Sequence, residues 1–529
     1  MFNTAPYIDG KKVLVGDIVK PFEGVCDDKT SPIIDPKTGE RTVIGRVAQM
    51  DENDVAEVLR SSCNAWDKGK GIWPQMSVED RISALRTYID RLSQCKYDII
   101  HSLMWEIGKP TKDATSEFER TIDFMTKTID EFLNLDENDG QWTNEEGYLV
   151  KTRRGPVGIM LNFGPFNYPL NESYCTLFPA LLLGNIAIFK IPSLGGLAHI
   201  LTMEAVASSL PPGVLNFISG SGRDLIEPLM NSGEIDILSF IGSSKVADVI
   251  IRAHPAPHRL RLFLQLESKN PAIVLPCADM DTAAKEIAIG ATKYNGQRCT
   301  ALKIIFIHTS IVETLLERLC EQVANLPCGM PWVEGVQVTP LPELDKIQSL
   351  EALIEDAIHY GAMIVNADQG GGDKCHRSDN TMLPAILYPV TNQMKLWSIE
   401  QFGPVIPIVP YTSINEVTEY ISSGPYGQQA SIFGQDSKNI TPVLDILVNI
   451  VARVNLNMQC SRSPDMVPFT GRRSSGNGVM SVRDVLYEFS IPVVVAGKLQ
   501  GNNEQILRGF DSNSTFLKPI SSAHTKSSI

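Results

Sequence analysis

The chain has 529 residues, 43% of them apolar and 20% charged, and 47 basic against 61 acidic side chains leave a net charge of −14. Such a length allows about three or four domains and a large core without disulfides or structural metals, and the composition argues against disorder. The acidic balance disfavours nucleic acid or an anionic membrane as a partner but allows a small anion in a local basic pocket.

The start, MFNTAPYIDG, carries no basic-then-apolar leader. The longest apolar stretch, 177–191, is broken by Pro179, Gly184, Asn185 and Lys190, too short and interrupted to span a bilayer. The final SSI is not a peroxisomal address. Ten cysteines without a CxxC pair read as reduced thiols, with no metal site expected. A soluble cytoplasmic protein follows.

Residues 1 to about 50 read as short strands broken by Pro and Gly. Ser77 and Asp80 form a capping-box pattern, and Ile82, Leu85, Ile89 and Leu92 then recur at helical spacing. From 158 to 275 the pattern changes to apolar runs at 158–163, 186–189, 214–218, 235–241 and 260–266. Segments long enough for a helix separate the first four. Near-continuous apolar runs alternating with helices predict a parallel, doubly wound sheet buried on both faces. Ligands of such sheets sit beyond the carboxyl ends of the strands. Residues 276–485 mix strands and helices again, and Gly370-Gly371-Gly372 reads as a loop rather than a phosphate cradle. The last twenty or so residues, rich in Ser, Asn and Thr, read as a flexible tail.

Two local features bear on chemistry. Gly220-Ser221-Gly222 follows a strand and opens a helix but lacks the third glycine of the dinucleotide fingerprint. Cys299 lies in Asn-Gly-Gln-Arg-Cys-Thr, where Arg298, if turned toward the thiol, favours the thiolate, and Gly296 lets the backbone approach a ligand. No histidine stands nearby as a protease-type base.

Six motifs then occur in one order: Phe166-Asn167-Tyr168-Pro169, Phe189-Lys190 ahead of Pro192-Ser193, Phe240-Ile241-Gly242-Ser243, Lys269-Asn270-Pro271, Gly296-Gln297-Arg298-Cys299 and Glu400-Gln401-Phe402-Gly403-Pro404. Their order and spacing resemble the aldehyde dehydrogenase superfamily over about residues 30–500. Within it, Asn-Gly-Gln-Arg-Cys-Thr-Ala-Leu-Lys, Tyr168 directly after Asn167, and Gln459-Cys460-Ser461-Arg462-Ser463-Pro464-Asp465 resemble the non-phosphorylating glyceraldehyde-3-phosphate dehydrogenase branch. The resemblance implies an α/β fold. It would comprise a Rossmann-like cofactor domain (1–135 and 158–275), an α/β catalytic domain (276–485), a small oligomerisation β-module (136–157 and 486–500) and a tail (501–529). Exchanged strands of that module, near 147–154 and 489–496, would make a homo-oligomer, a dimer or tetramer.

The same resemblance implies roles. Cys299 matches the nucleophile whose thiohemiacetal becomes a thioester hydrolysed by water, and the Asn167 side chain with the Cys299 amide matches the oxyanion donors. Glu400, with Phe402 beside it, matches the glutamate on the nicotinamide ribose, Lys190 the grip on the adenosine ribose, and Gly242 and Ser243 the cofactor loop. Ser193 stands where NAD-preferring members often carry glutamate, so NADP is expected, with NAD as the alternative. Arg298, Arg462, Arg120 and Tyr168 match residues that hold the substrate phosphate. One motif departs. The family's Glu-Leu-Gly-Gly-Lys reads Gln265-Leu266-Glu267-Ser268-Lys269, so Gln265 occupies the place of the deacylation base, and glutamine takes no proton from water. Glu267, two residues on along a strand, faces the same side and is the candidate base. Its alternative is a structural carboxylate. An aldehyde dehydrogenase for another small aldehyde and a cofactor-binding protein impaired in deacylation are the competing functions.

Overall fold

A computed structural model describes residues 2–16, 18–34, 38–374 and 380–520. The apolar runs become strands Ile159–Phe163, Ile186–Lys190, Leu215–Ile218, Ile237–Ile241 and Arg261–Gln265. They lie side by side in the order 215–218, 186–190, 159–163, 237–241, 261–265, all parallel. Every residue of the first three strands in sequence is buried, as helices on both faces require. Chain order reverses between 159–163 and 237–241, which opens a crevice at the carboxyl ends of these two strands. A short antiparallel strand, Gly476–Asn477, reaches back to pair with Leu264 and Gln265.

The N-terminal helices pack into the same core. Helix Val78–Gln94 starts where Ser77 accepts from the Asp80 amide, and Ile82, Leu85, Ile89 and Leu92 are buried. The Asp80 carboxylate answers through the Ser77 hydroxyl, at 2.7 Å, not through the Ser77 amide of a full capping box. The long helix Thr111–Asp139 runs past it into the region expected to begin the β-module.

A second, seven-stranded sheet carries the other half of the chain: Met363–Ile364, Ala385–Tyr388, Val405–Tyr411, Ile304–His308, Pro271–Val274, Gln429–Phe433 and Arg453–Leu456. Only its first pair is antiparallel. Two apolar clusters cover its two faces. Gly370 and Gly372 lie in a turn with positive φ, beside the short strand Met363–Ile364.

In the third sheet, Ser490–Lys498 pairs antiparallel with Tyr148–Pro156 over their full lengths within the one chain, and Thr143–Glu145 flanks the other side. The expected tail departs from this picture. Residues Asn503–Asn513 form a helix with Leu507 buried. The reason lies in two buried cations. Lys151 donates to Asp511 and to the Leu517 carbonyl, both at 2.8 Å, and Arg153 donates to the Lys518 carbonyl at 2.8 Å. Charges inside a module must be partnered, and this segment supplies the partners. The remainder of the expected tail, 521–529, lies outside the described residues. Among the described residues no helix is long and apolar enough to cross a membrane.

Candidate active site

Loops leaving the carboxyl ends of the parallel strands meet the segment 293–303 around a cavity of about 610 Å³, within the range usual for small-molecule sites. Every residue singled out above as a candidate for catalysis, cofactor or substrate lines it.

The nucleophile segment is shaped by its backbone. Helix Met280–Thr292 gives way to three left-handed residues, Tyr294 (φ 51°), Asn295 (φ 54°) and Gly296 (φ 71°). The first two are held there: Tyr294 donates to the Ile107 carbonyl and the Asn295 amide to the Thr339 carbonyl, each at 3.0 Å. Gly296 is needed for a different reason than ligand approach, since a Cβ would lie 2.6 Å from the carbonyl oxygens of Ala291 and Gly403. Past this bend the Cys299 carbonyl accepts from Ser268, from Asn270 at 2.8 Å and from Lys303 at 2.9 Å. Three donors therefore anchor the residue from behind and leave its side chain at the cavity wall.

Asn167 is positioned as firmly. Its side-chain nitrogen donates to the Gln297 carbonyl at 2.8 Å, and Lys109 donates to its own carbonyl at 2.6 Å. Lys109 is fully buried and paired with Glu117, whose other oxygen accepts from the amides of Leu170 (3.0 Å) and Asn171 (3.2 Å) at the start of helix Pro169–Leu182. Among the described residues the Cys299 amide has no acceptor. The remaining Asn167 N–H and that free amide are donors of the kind that stabilise an oxyanion.

The thiol is not lowered by Arg298. Burial pushes Cys299 up to about 11, helped by the Glu172 carboxylate and opposed by Lys303 and Arg462. Arg298 is turned elsewhere: a terminal nitrogen donates to the Gly290 carbonyl at 2.9 Å and to Gln459 at 3.2 Å. Arg120 and Arg462 are gathered in the cavity wall but already paired. Arg120 forms two bonds to Asp465, and Arg462 bonds Glu172 at 2.5 Å and Asp465 at 3.2 Å. Tyr168 offers its ring face to Lys109, 3.7 Å from the centroid.

At the other end, Glu267 lines the cavity with its carboxylate on the amide of Ser244, at 2.9 and 3.0 Å. It thus sits at the N-terminus of helix Ser244–Ala253, which Ser243 caps. Gln265 is buried, and among the described residues neither its amide nitrogen nor its oxygen has a partner. Glu400 is fixed by Lys303 and the Ser268 amide (3.2 Å), and Phe402 adopts φ 44° against Phe166. Lys190 is buried, donates to the Ile191 carbonyl at 2.7 Å, and is pushed down to about 8 by burial and by Lys29. A side cavity of about 270 Å³ joins Lys190 and Ser193 to Lys29, Gly220 and Ser221.

Sequence reasoning did not single out Lys29, Lys109, Glu117, Glu172 or Lys303. Lys29 comes from the N-terminal sheet and Lys109 and Glu117 from the helical region, so no local spacing marks them. Lys303 closes the quoted Cys-Thr-Ala-Leu-Lys run, and Glu172 stands five residues after Asn167, a signal within reach.

The aldehyde dehydrogenase family matches residues 25–495. The NADP-dependent glyceraldehyde-3-phosphate dehydrogenase of Streptococcus equinus is 33% identical over 453 residues, 85% of this chain and 91% of that protein. The protein of the same name from Nicotiana plumbaginifolia is 28% identical over 486 residues, 89% and 93% of the two chains. Among solved structures, the Bacillus halodurans NADP-dependent glyceraldehyde-3-phosphate dehydrogenase, complexed with NADP, aligns with a TM-score of 0.83 at 29% identity, covering 93% of this chain and all of that one.

Proposed function

The chain belongs to the aldehyde dehydrogenase family, and from that premise we propose that it oxidises glyceraldehyde 3-phosphate to the free acid with NADP. One observation carries the reading: Cys299, the Asn167 amide and three arginines, Arg120, Arg298 and Arg462, share one cavity with Tyr168. The names of the relatives point the same way.

The residues fit the cofactor. Lys190 is a buried ammonium whose one bonded partner among the described residues is a backbone carbonyl, and Lys29, Ser193 and Ser221 stand around the same side cavity. Two lysines against one carboxylate, Asp27, with three serine hydroxyls and no carboxylate at 193, suit a 2′-phosphate. Glu400 and Phe402 would hold the nicotinamide end, and Gly242 and Ser243 the stretch between. When bound, the nicotinamide supplies the hydride acceptor.

The protein's own groups do the rest. Cys299 attacks the aldehyde carbon, and the Asn167 side chain and Cys299 amide receive the negative charge that forms on oxygen; one such donor is worth roughly 100- to 1,000-fold in rate. Oxidation leaves a thioester on Cys299, which water opens, so no acyl phosphate forms and inorganic phosphate is not consumed. Two carboxylates in the cavity, Glu267 and Glu172, are candidates to activate that water. The reading includes a cytoplasmic homo-oligomer with reduced thiols.

A second reading has its own observation. Arg120 and Arg462 are already neutralised by Asp465 and Glu172, which suits a small aldehyde without a phosphate. Comparing kcat/KM for glyceraldehyde 3-phosphate and plain glyceraldehyde separates the two. A charged hydrogen bond is worth about 1.5–3 kcal/mol, so the phosphate should raise kcat/KM roughly 10- to 150-fold. Equal use of the two aldehydes would leave only the second reading standing.

A further inference from the structure

Hydrolysis of the thioester requires a group that takes a proton from water, and position 265 carries an amide. Among the described residues three carboxylates line the cavity: Glu172, Glu267 and Glu400. Glu400 is committed to Lys303 and the Ser268 amide. Both Glu267 oxygens are occupied by the Ser244 amide at the start of a helix, a placement that steadies the anion where it is. Glu172 differs. Arg462 holds its Oε1 at 2.5 Å, while Oε2 has no bonded partner among the described residues, and the side chain keeps 15% of its surface open. It occupies the first turn of helix Pro169–Leu182, and its own amide donates to the Tyr168 carbonyl at 3.1 Å, so one short stretch carries both the oxyanion amide of Asn167 and this carboxylate. Of the charged side chains acting on the Cys299 thiol, Glu172 has the largest effect, ahead of Lys303 and Glu400.

We propose that Glu172 takes the proton from the water that hydrolyses the Cys299 thioester, and that Gln265, whose amide has no partner among the described residues and which lines the same cavity, holds that water. The water oxygen bonds to the acyl carbon while its proton passes to Oε2 of Glu172. The carbon–sulfur bond then breaks, Cys299 leaves as thiolate, and Glu172 returns the proton to it. Atoms and charge balance with no further reactant. Arg462 orients the carboxylate by gripping the other oxygen.

The proposal rests on the reading of Cys299 as acyl carrier, and an ester tests both without any cofactor. With p-nitrophenyl acetate, the burst of p-nitrophenolate reports acylation and the steady state reports deacylation. A positioned base is worth roughly 100- to 10,000-fold. Glu172→Gln should therefore keep the burst, slow the steady state by about 100-fold or more, and accumulate an acetyl adduct on Cys299 that peptide mass spectrometry detects. Placing Gln265→Glu in the Glu172→Gln background should restore hydrolysis, because it returns a carboxylate to the same water. Should loss of the Arg462 partner unfold Glu172→Gln, Glu172→Asp keeps that charge but withdraws it by a methylene, and a misplacement of about 1 Å should still slow deacylation about 100-fold. Deacylation at the parent rate in Glu172→Asp and Glu172→Gln overturns the proposal. So does an adduct that accumulates in Glu267→Gln but not in Glu172→Gln. Ester hydrolysis and acetyl labelling that persist unchanged in Cys299→Ala refute the role of Cys299 itself, and the base assignment with it.

Discussion

Replacing Glu172 by Gln also probes the charge around the nucleophile with no turnover involved. Burial and Glu172 push the Cys299 thiol from 9.0 up to about 11. At pH 8 that leaves roughly one thiolate in a thousand, against roughly one in ten for an open thiol. The more basic thiolate is about tenfold more nucleophilic over those two units, so alkylation should run roughly tenfold slower than at an exposed cysteine. The sign for the variant follows from charge. Removing a negative group lowers the thiol's pKa, by about one unit for a close partner. The thiolate fraction at pH 8 then rises about tenfold and the observed rate about threefold after the nucleophilicity correction. The assay is iodoacetamide labelling followed on the Cys299 peptide across pH 6.5 to about 11. In the parent the logarithm of the rate should climb about one unit per pH unit with no plateau before about pH 10.5. A plateau near pH 8, or an unchanged profile in Glu172→Gln, would refute both the buried thiol and the closeness of Glu172 to it.

Gly296→Ala should destabilise the protein by about 2 kcal/mol or more in urea unfolding, because φ is 71° and a Cβ would meet two carbonyl oxygens at 2.6 Å; an unchanged midpoint would show that the bend before Cys299 is not strained as described. Ser193→Glu should weaken NADP binding at least tenfold in a fluorescence titration while sparing NAD, since a carboxylate beside Lys190 and Lys29 repels a 2′-phosphate and accepts a 2′-hydroxyl; equal losses for the two dinucleotides would contradict that assignment.

Local sequence determined the framework. Apolar runs of strand length alternating with helices could be buried only in a parallel sheet, and the five strands around 159–265 follow that pattern because burial on both faces admits no polar alternation. The motifs named Cys299, Asn167 and Glu400 together, and all three line one cavity; Asn167 follows the end of strand Ile159–Phe163, where the chemistry of such sheets collects, while Cys299 and Glu400 reach it from other segments. The absence of a carboxylate at 265 was also legible, being a matter of residue type alone. Tertiary structure decided where charges point. Arg298 stands next to Cys299 in sequence but spends its guanidinium on Gly290 and Gln459, whereas Arg462 and Glu172, from distant segments, meet in the wall of the cavity that Cys299 lines. Glu267 was expected to continue the strand, but the strand ends at Gln265, and beyond it the N-terminus of helix Ser244–Ala253 captures the Glu267 carboxylate. Residues 503–518 looked too polar to fold, and they fold because Lys151 and Arg153 are buried opposite them and need their carbonyls and Asp511. Periodicity reports which face of an element is apolar; only the assembled fold determines which charge is left to answer which.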